Sequence, residues 1–513
     1  MATTIRRQPD TMSPPDWVRD AVFYQIFPDR FARSTRLPKP DFLEEWDAVP
    51  TLRGYKGGDL YGIIEHLDHI EALGANALYL TPIFQAASNH RYNTHDYFQV
   101  DPMLGGTQAL RELLDTCHAR GMRVILDGVF NHASRGFFPF HDLLESGVSS
   151  PYHNWFYILS FPLNAYHPQQ GLGYRAWWGH ASLPKFNTNT PAVREFLWNV
   201  ATHWLAFGID GWRLDAPHEI DDDTFWQEFR RRCRAVNPEA YLVGEIWGES
   251  SRWLQGDQFD AVMHYELTRA IFGLVAADSL NQAEIRKGAY KQITPLSAEE
   301  FAEAINRQQR TYRPEVTAVQ FTLLGSHDPA RALTIVGEDE SALRLALLFQ
   351  MTYPGAPCLY YGDEIGVTGR HDPYNRQGMP WHKPESWNRA LFEYLQRLIG
   401  LRREHAALRR GSYQTLHARN GIYAFVRELH DECFLIVLNV NQHPVTLDFS
   451  TAAFPEWHGT FHDLLNGHSA HVEHQQLTGD DLPARSGAVF KERSHQKNGE
   501  EEATVCNATV SGT

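Results

Sequence analysis

Short apolar runs alternate with helical segments along most of this chain, and this alternation limits its fold more than any other feature. Eight runs have the length and composition of buried strands, and several of the segments between them show helix-like spacing. The strand candidates are residues 21–27, 77–81, 123–127, a strand within 207–219, 240–245, 259–263, 319–324 and 358–361. The predicted helices are 59–73, 107–120, 190–207 and 222–236. Parallel strands separated in this way predict an α/β fold, a closed (β/α)8 TIM barrel.

A doubly wound open sheet is the structural alternative to a barrel. No GxGxxG motif follows the first strand candidate, which argues against a nucleotide-binding open sheet. Polar residues stand at the carboxyl ends of the third, fourth, fifth and seventh strand candidates, and in a barrel those ends converge on one face. The barrel is therefore the favoured prediction.

Two changes of pattern divide the chain into domains. Residues 133–187 interrupt the alternation and are rich in His, Pro, Trp and Tyr, which indicates a small subdomain inserted after the third strand. From residue 409 the apolar runs become short and alternating, as in an antiparallel β domain. We predict a barrel over 1–132 and 188–408, an inserted domain over 133–187, a C-terminal β-sandwich over 409–491 and a disordered tail over 492–513.

Composition excludes several classes of partner. The 513 residues carry a formal net charge of -15, which leaves no broad basic surface for nucleic acid or an anionic membrane. The five cysteines are scattered without CxxC spacing, which argues against a zinc site or a disulfide framework and favours a reducing compartment. No apolar stretch has the length of a signal-peptide core or a membrane span, so we predict a cytoplasmic protein.

Four strand candidates end in polar clusters that share the same end of the predicted barrel. Arg213 and Asp215 lie two residues apart in a strand, so both side chains point to the same face and the guanidinium can hold the carboxylate. One such cluster alone is often structural, but four together predict a site. The clusters are Asp127 to His132, Arg213 with Asp215, Glu245, and Ser326 with His327 and Asp328.

These residue types suit acid/base chemistry with a carboxylate nucleophile. Glycoside cleavage requires one carboxyl that is protonated and gives its proton to the leaving oxygen, and a second that is ionised and attacks the sugar carbon. Asp215 suits the ionised role because Arg213 stands beside it. Glu245 suits the protonated role because it lies next to apolar Ile246 and Trp247.

Five motifs in order along the chain resemble the α-amylase superfamily, glycoside hydrolase family 13. They are DGVFNH (127–132), LPKFN (183–187), GWRLDAPHE (211–219), GEIW (244–247) and GSHD (325–328), and the resemblance extends over residues 20–486. It implies Asp215 as nucleophile, Glu245 as general acid/base, and Asp328 as the carboxylate that binds sugar hydroxyls and distorts the ring. The implied substrate-binding residues are Tyr92, Asp96, His132, Arg213, His218, Trp247, His327, Asp372 and Arg376.

Within the superfamily the motifs are most similar to the neopullulanase, cyclomaltodextrinase and α-glucosidase group. That group carries an amino-terminal β domain that builds a dimer, whereas here the first strand begins near Ala21, so monomer and homodimer both stay open. Residues 57–59 resemble half of a calcium loop, but residues 32–35 lack the carboxylates of the other half. We predict no metal ligands and no required cofactor, with a structural calcium ion as the alternative.

The resemblance implies a retaining hydrolase that cleaves α-1,4-glucosidic bonds of maltooligosaccharides, and of cyclodextrins, through a covalent glycosyl-enzyme intermediate. An α-glucosyl transferase or isomerase with the same intermediate is the alternative, because the two differ only in how well the acceptor subsite excludes water. Trp177, Trp178 and Trp247 are candidates for that subsite. A catalytically inactive binding subunit is a third reading, and the presence of Asp215, Glu245 and Asp328 argues against it.

Overall fold

The computed structural model describes residues 13–492, and two eight-stranded sheets organise it. The first sheet is parallel, with the strand order β8-β7-β6-β5-β2-β1-β10-β9. A parallel bridge between Met263 and Phe321 joins its two ends and closes the ring, so the predicted (β/α)8 barrel is confirmed. The strands are β1 (Phe23–Ile26), β2 (Ala77–Leu80), β3 (Phe84–Ala86), β4 (Thr94–Val100), β5 (Arg123–Gly128), β6 (Gly211–Leu214), β7 (Tyr241–Gly244), β8 (Ala261–Val262), β9 (Phe321–Leu323), β10 (Ala356–Tyr360), β11 (Gln414–Arg419), β12 (Ile422–Leu429), β13 (Glu432–Asn439), β14 (Val445–Ser450), β15 (Gly459–Asp463), β16 (Ser469–Glu473), β17 (Gln476–Leu482) and β18 (Ser486–Glu492).

Helices follow the barrel strands and cover the outside of the ring. Asp222 caps the helix after β6 by accepting from the amides of Thr224 and Phe225, as an N-cap carboxylate does. The helices are α1 (Pro28–Phe31), α2 (Leu60–Glu65), α3 (Leu67–Leu73), α4 (Gly106–Ala119), α5 (Phe138–Ser146), α6 (Pro191–Phe207), α7 (Asp223–Val236), α8 (Tyr265–Val275), α9 (Ala298–Thr311), α10 (Pro314–Thr317), α11 (Ala332–Ile335), α12 (Glu340–Thr352), α13 (Arg389–Glu404) and α14 (Ala406–Arg410).

The single helix predicted over 59–73 is two helices, α2 and α3, and this detail of the prediction is wrong. They meet at His66, whose backbone leaves helical geometry at φ -116° and ψ 12°. The His66 imidazole bonds the carbonyl oxygen of Gly62 and lies 4.0 Å from the Trp381 ring, measured between centroids. A contact with a residue far along the chain therefore overrides the helical spacing of the local sequence.

The interior of the barrel is layered, with aromatic rings below and polar groups above. Phe23 on β1 lies 5.0 Å from Phe321 on β9, and Tyr79 on β2 lies 6.0 Å from Phe321, measured between ring centroids. Two residues beyond Phe23, the buried Gln25 points into the same interior because strand side chains alternate. The carboxyl ends of the strands thus carry polar side chains above a packed layer of aromatic rings.

Residues 133–187 form an irregular layer over one side of the barrel mouth, and aromatic rings form its core. Phe156 stacks on Phe186 at 5.3 Å, and Phe140 meets Phe156 edge to face at 4.9 Å. A bridge between His132 and Lys185 joins the two ends of the segment where it leaves the barrel. The segment therefore holds a fixed position beside the strand ends.

The second sheet is antiparallel, with the order β11-β12-β13-β18-β15-β16-β17-β14. Hydrogen bonds link all eight strands into one continuous sheet, so the predicted antiparallel β domain is confirmed, and its description as a sandwich stays a prediction. The sheet curls, since His417 on the edge strand β11 stacks on Phe449 of the opposite edge strand β14 with 4.7 Å between ring centroids. Its apolar face encloses a core that includes Leu435 and Phe461.

Two fully buried guanidiniums join the barrel to this C-terminal sheet. Arg402 on α13 donates to the carbonyl oxygens of Met351 and Leu408 at 2.8 and 3.1 Å. Arg427 on β12 donates to the same Leu408 oxygen at 2.8 Å. Among residues 13–492 neither guanidinium has an ion-pair partner, and burial lowers the pKa of both to about 9. Both charges are therefore solvated by backbone dipoles at the domain boundary.

The described part of the chain ends at the first residue of the predicted tail. Glu492, the first residue of the predicted tail, is the last residue of β18. Residues 1–12 and residues 493–513, which include Cys506, lie outside the described part of the chain. Within residues 13–492 the four cysteines are free thiols. Within the same range, no helix combines the length and apolar character that crossing a membrane requires.

Candidate active site

One guanidinium gathers three carboxyl groups at the carboxyl end of the barrel. Arg213, fully buried on β6, donates through Nη1 to Asp127 Oδ1 at 2.8 Å and to Asp215 Oδ1 at 3.1 Å. Its Nη2 lies 3.1 Å from Glu245 Oε2. Arg213 and Asp215 therefore share one face of the strand, which confirms that prediction. The three acids come from the ends of β5, β6 and β7, three adjacent strands.

The Glu245 carboxylate is held by one ion pair and two hydrogen-bond donors. Besides Arg213, the backbone amide of Ala216 donates to Oε2 at 3.0 Å and the indole Nε1 of Trp247 donates to Oε1 at 3.0 Å. Ala216 has a positive φ of 38°, a strained conformation for a residue with a side chain, and this turn directs its amide at Glu245. Burial raises the pKa of both Asp215 and Glu245, and their mutual repulsion adds to the shift of Asp215.

Asp127 lies below the other carboxyl groups and organises them. The hydroxyls of Tyr79 and Tyr92 donate to its Oδ2 at 2.6 and 2.8 Å, while its Oδ1 accepts from Arg213. Burial raises the pKa of Asp127, although these hydrogen bonds act to lower it. Arg213 Nη1 also donates to Oδ2 at 3.0 Å, and because four donor contacts meet on this one carboxylate, it fixes the orientation of both Arg213 and the Tyr92 ring.

His327 has a defined tautomer. Gln25 Nε2 donates to His327 Nδ1 at 2.8 Å, so the ring proton is on Nε2, which donates to the Tyr92 hydroxyl oxygen at 2.5 Å. Burial lowers the pKa of His327 well below its ordinary value of 6.5, so the ring is neutral. The His327 ring lies parallel to Tyr92, 5.4 Å away between centroids.

His132 is also neutral and packs against the inserted segment. Its Nε2 donates to the carbonyl oxygen of Tyr92 at 3.1 Å, and burial lowers its pKa to about 4. The ring stacks on Trp177 at 5.3 Å, and Trp177 stacks on Trp178 at 4.7 Å. Trp178 then meets Trp247 edge to face at 6.4 Å. These four rings form an aromatic wall on one side of the site.

The opposite side carries a second arginine. Arg376 Nη2 lies 3.6 Å from Asp328 Oδ1, and Arg376 Nη1 lies 3.0 Å from Asp372 Oδ1. Arg376 Nε donates to the carbonyl oxygen of His327 at 2.8 Å, which ties this arginine to the strand-end cluster. Asp328 is one-third exposed, so its carboxylate is available to a ligand.

These groups surround a cavity of about 680 Å³. Its walls include ten predicted site residues, namely Tyr92, His132, Asp215, His218, Glu245, Trp247, His327, Asp328, Asp372 and Arg376. Arg213 lies beneath the wall rather than in it. Asp96, also predicted to bind substrate, does not line this cavity; it lies on β4, and its Oδ1 accepts from the amide of Phe98 at 2.8 Å.

Sequence reasoning missed His90 and Gln25. His90 lines the cavity, and Gln25 sets the tautomer of His327. Gln25 had a signal, since it is the one polar residue in the apolar run of the first strand. His90 stands in an irregular connection where neither helix nor strand periodicity applies, so its position follows only from the tertiary structure.

The loop considered for calcium, residues 57–59, contains a contact with an ammonium group instead. Lys39 Nζ contacts Asp59 Oδ2, which also accepts from the Ser34 hydroxyl at 3.0 Å. Within residues 13–492 no group of three or more His, Cys, Asp or Glu side chains is arranged to hold a metal. The donor set around Asp59 does not fit calcium.

Carboxyl groups that share one arginine at the carboxyl end of a (β/α)8 barrel, within a cavity of this size, define the class: the protein is a glycoside hydrolase. The chain belongs to the α-amylase family. Residues 25–385 match the model for the α-amylase catalytic domain, and residues 413–488 match the model for the maltogenic amylase C-terminal domain.

Three known proteins illustrate the similarity. A cyclomaltodextrinase from Bacillus sp is 44% identical over 443 residues, 85% of this chain and 76% of that protein. The intracellular maltogenic amylase of Bacillus subtilis is 38% identical over 443 residues, 85% of this chain and 71% of that protein. The crystal structure of a debranching enzyme from Nostoc punctiforme superposes with a TM-score of 0.86 at 47% identity, covering 94% of this chain and 99% of that one.

Proposed function

We propose that the protein hydrolyses α-1,4-glucosidic bonds of maltooligosaccharides and cyclodextrins with retention of configuration. The observation that carries this proposal is the pair Asp215 and Glu245 on one guanidinium, at 3.1 Å each, in a cavity of about 680 Å³. The similarity to the Bacillus sp cyclomaltodextrinase supports the substrate class.

Asp215 is the nucleophile in this proposal. Its Oδ1 is held by Arg213, which leaves Oδ2 to attack the sugar carbon while the bond from that carbon to the leaving oxygen breaks. Glu245 donates its proton to that oxygen from Oε1, which has the Trp247 indole as its hydrogen-bond partner and a second lone pair for the proton. The product of this step is a glycosyl ester of Asp215 and a Glu245 carboxylate.

The second step reverses these roles. The Glu245 carboxylate takes a proton from a water molecule, the water oxygen attacks the sugar carbon, and the ester bond to Asp215 breaks. Arg213 and the Ala216 amide stabilise the Glu245 anion between the two steps because both contact Oε2. The free acid and the free nucleophile are regenerated together.

The remaining cavity residues bind sugar hydroxyls in this proposal. Asp328 is partly exposed, and Arg376, which lies 3.6 Å away, keeps its carboxylate oriented. His132 and His327 are neutral rings beside the same space. Asp372, paired with Arg376 at 3.0 Å, contacts the substrate towards its non-reducing end.

Glucosyl transfer is the second candidate activity, and the aromatic wall favours it. Trp178 is two-thirds exposed, with its ring against the cavity and edge-on to Trp247. Exposed indole faces stack on sugar rings and displace water from the space that an acceptor occupies. Transfer to a second sugar therefore accompanies hydrolysis at high substrate concentration. The similarity to the Bacillus subtilis intracellular amylase supports the proposed cytoplasmic location.

Two variants and one control test the assignment. Asp215→Asn removes the nucleophile and abolishes turnover of maltotriose and β-cyclodextrin, with folding intact by circular dichroism. Glu245→Gln spares 4-nitrophenyl maltoside more than maltotriose, because an activated leaving group needs less protonation. Asp96→Asn, outside the cavity, keeps wild-type turnover as the matched control.

Product analysis by anomer-resolved NMR completes the experiment. Initial products in the α configuration support retention. Initial β products, or an Asp215→Asn enzyme with wild-type turnover, contradict the proposal.

A further inference from the structure

One arginine outside the catalytic cavity holds the loop that follows β7. Residues 245–250 belong to no helix or strand, although Glu245 and Trp247 in this loop both line the cavity. Arg269 on α8 donates through Nη2 to the carbonyl oxygen of Trp247 at 2.7 Å. Through Nη1 it donates to the carbonyl oxygen of Ala289 at 3.0 Å. The guanidinium therefore joins the loop to α8 and to a second connection of the barrel.

Trp247 is held at its main chain and at its ring. The carbonyl oxygen accepts from Arg269, and the indole Nε1 donates to Glu245 Oε1 at 3.0 Å. The indole also meets Tyr265 edge to face, with 6.3 Å between ring centroids. Tyr265 and Arg269 lie four residues apart on α8, so they share one face of that helix. The same helix face thus contacts both ends of Trp247 and sets the direction of its indole N–H.

The surroundings of Arg269 suit a contact with the main chain. Arg269 lies in the wall of a groove of about 440 Å³ formed by α8 and α9, and it does not line the catalytic cavity. Burial lowers the pKa of Arg269, while the charge of Glu266 acts to raise it. The carbonyl dipoles of Trp247 and Ala289 solvate the buried part of the charge. The planar fork of a guanidinium reaches two carbonyl oxygens at once, which a single ammonium does not.

We propose that Arg269 is a positioning residue for the general acid: by fixing the Trp247 carbonyl group, it directs the indole N–H at Glu245. The inference rests on the proposed function, because it concerns the acid of the same reaction. Arg269 acts through Trp247 and touches neither the substrate nor the reacting atoms. When Glu245 has given its proton to the leaving oxygen, the indole N–H stabilises the carboxylate that remains.

The titration of Glu245 reports this contact. The other charged groups that face Glu245 are Arg213, Asp215 and Asp328, and a substitution at Arg269 changes none of them. The indole hydrogen bond acts to lower the pKa of Glu245, so its loss raises that pKa further. Because Glu245 must be protonated to act as the acid, the basic limb of the pH profile then moves to higher pH.

Arg269→Met and Trp247→Phe remove the same hydrogen bond from its two ends. In Arg269→Met we expect the basic limb of kcat/KM on maltotriose to move up by about one pH unit, the effect of one hydrogen bond to an ionised carboxyl group. At the optimum, kcat/KM is expected to decrease about tenfold. Trp247→Phe is expected to move the limb by the same amount. The double variant is expected to show no further movement of the limb, because both substitutions remove one and the same bond.

Arg111→Met is the matched control. Arg111 on α4 also donates to a main-chain carbonyl oxygen, that of Phe207 at the end of α6. This control is expected to melt at a lower temperature and to keep the wild-type pH profile. Arg269→Gln is a second uncharged variant with the same expected profile as Arg269→Met, so the test does not depend on the folding of one variant. An unmoved basic limb in folded Arg269 variants overturns the proposal. Additive limb movements in the double variant also overturn it, because Arg269 would then act by a route other than Trp247.

The NMR signal of the Trp247 indole distinguishes this proposal from the proposed function. In protein labelled with ¹⁵N at its 14 tryptophans, the Trp247 indole signal is the one that Trp247→Phe lacks. We expect this signal to move upfield in Arg269→Met, where the hydrogen bond is lost, and to stay in place in Arg111→Met. An unmoved signal in Arg269→Met overturns the role of Arg269. A wild-type enzyme that does not cleave maltotriose contradicts the proposed function and leaves the NMR result standing.

Discussion

Replacing Arg213 by lysine keeps the positive charge but removes the geometry that serves three carboxyl groups. The guanidinium contacts Asp127 at 2.8 Å and both Asp215 and Glu245 at 3.1 Å, from two different nitrogens. A lysine ammonium is a single point of charge on a flexible stem and has no planar fork. In Arg213→Lys we expect the ammonium to stay with the deepest acid, Asp127, so the contacts to Asp215 and Glu245 are lost.

The size of the effect follows from those two contacts. A hydrogen bond to a charged group contributes about 1.5–3 kcal/mol, and we take the same range for the ion pair with Glu245, so losing the two contacts weakens the active arrangement by roughly 3–6 kcal/mol. If the transition state loses all of this stabilisation, kcat/KM decreases by about 10²- to 10⁴-fold, because each 1.36 kcal/mol changes the rate about tenfold. The loss in folding stability is smaller, because unpaired buried carboxyl groups take up protons.

The assay is kcat/KM on maltotriose beside thermal unfolding of the same preparations. Arg331→Lys is the matched control, because Arg331 is a fully buried arginine paired with Asp363 at 2.9 Å outside the cavity. That control is expected to lose stability and keep its turnover. An Arg213→Lys enzyme within tenfold of wild type would refute the reasoning, since one shared guanidinium would then not organise the two acids.

Three further outcomes are expected. Burial raises the pKa of Glu245 above its ordinary 4.5, so the carboxyl group keeps its proton to higher pH. We therefore expect kcat/KM on maltotriose to fall as the pH rises through this raised pKa, and kcat/KM on 4-nitrophenyl maltoside to fall less steeply. Identical pH profiles for the two substrates would argue against Glu245 as the acid. Trp178→Ala opens the aromatic wall, so chromatography at high maltotriose concentration should show a lower ratio of transfer products to hydrolysis products. An unchanged ratio would show that the wall does not bind the acceptor. Because the Lys39 ammonium contacts Asp59 in the segment that resembles half of a calcium loop, a chelator should change neither turnover nor melting temperature, and a decrease that calcium restores would contradict this.

Most of the barrel is predictable from the sequence because its strands and helices are regular. Apolar runs give the eight strands, and two-residue alternation places Arg213 and Asp215 on one face. The break at His66 was not predictable in this way, because it depends on contact with Trp381, which lies more than 300 residues away in the chain. The curl of the C-terminal sheet likewise brings together residues distant in sequence, His417 and Phe449, which local periodicity does not predict.

The candidate site was predictable where a motif carries it and less so elsewhere. Asp215, Glu245 and Asp328 stand in motifs that resemble a family and line the cavity in the structure. Asp96 lies close to Tyr92 in the sequence, but its side chain bonds the amide of Phe98 on β4. Proximity in sequence to Tyr92 does not fix the direction of that side chain. His90 shows the converse, because it lines the cavity although it lies in an irregular connection between β3 and β4, where no periodicity applies.

The guanidiniums of Arg402 and Arg427 have a consequence for how the molecule unfolds. Both donate to the carbonyl oxygen of Leu408, the residue at which the barrel passes into the C-terminal sheet. If the sheet detached, Arg427 would leave its barrel acceptor at Thr352 and the Leu408 oxygen would lose one of its two charged donors. Calorimetry should therefore show one cooperative transition for both domains. A chain truncated after α14 would expose this junction, so the sheet is an integral part of the catalytic unit rather than a removable attachment.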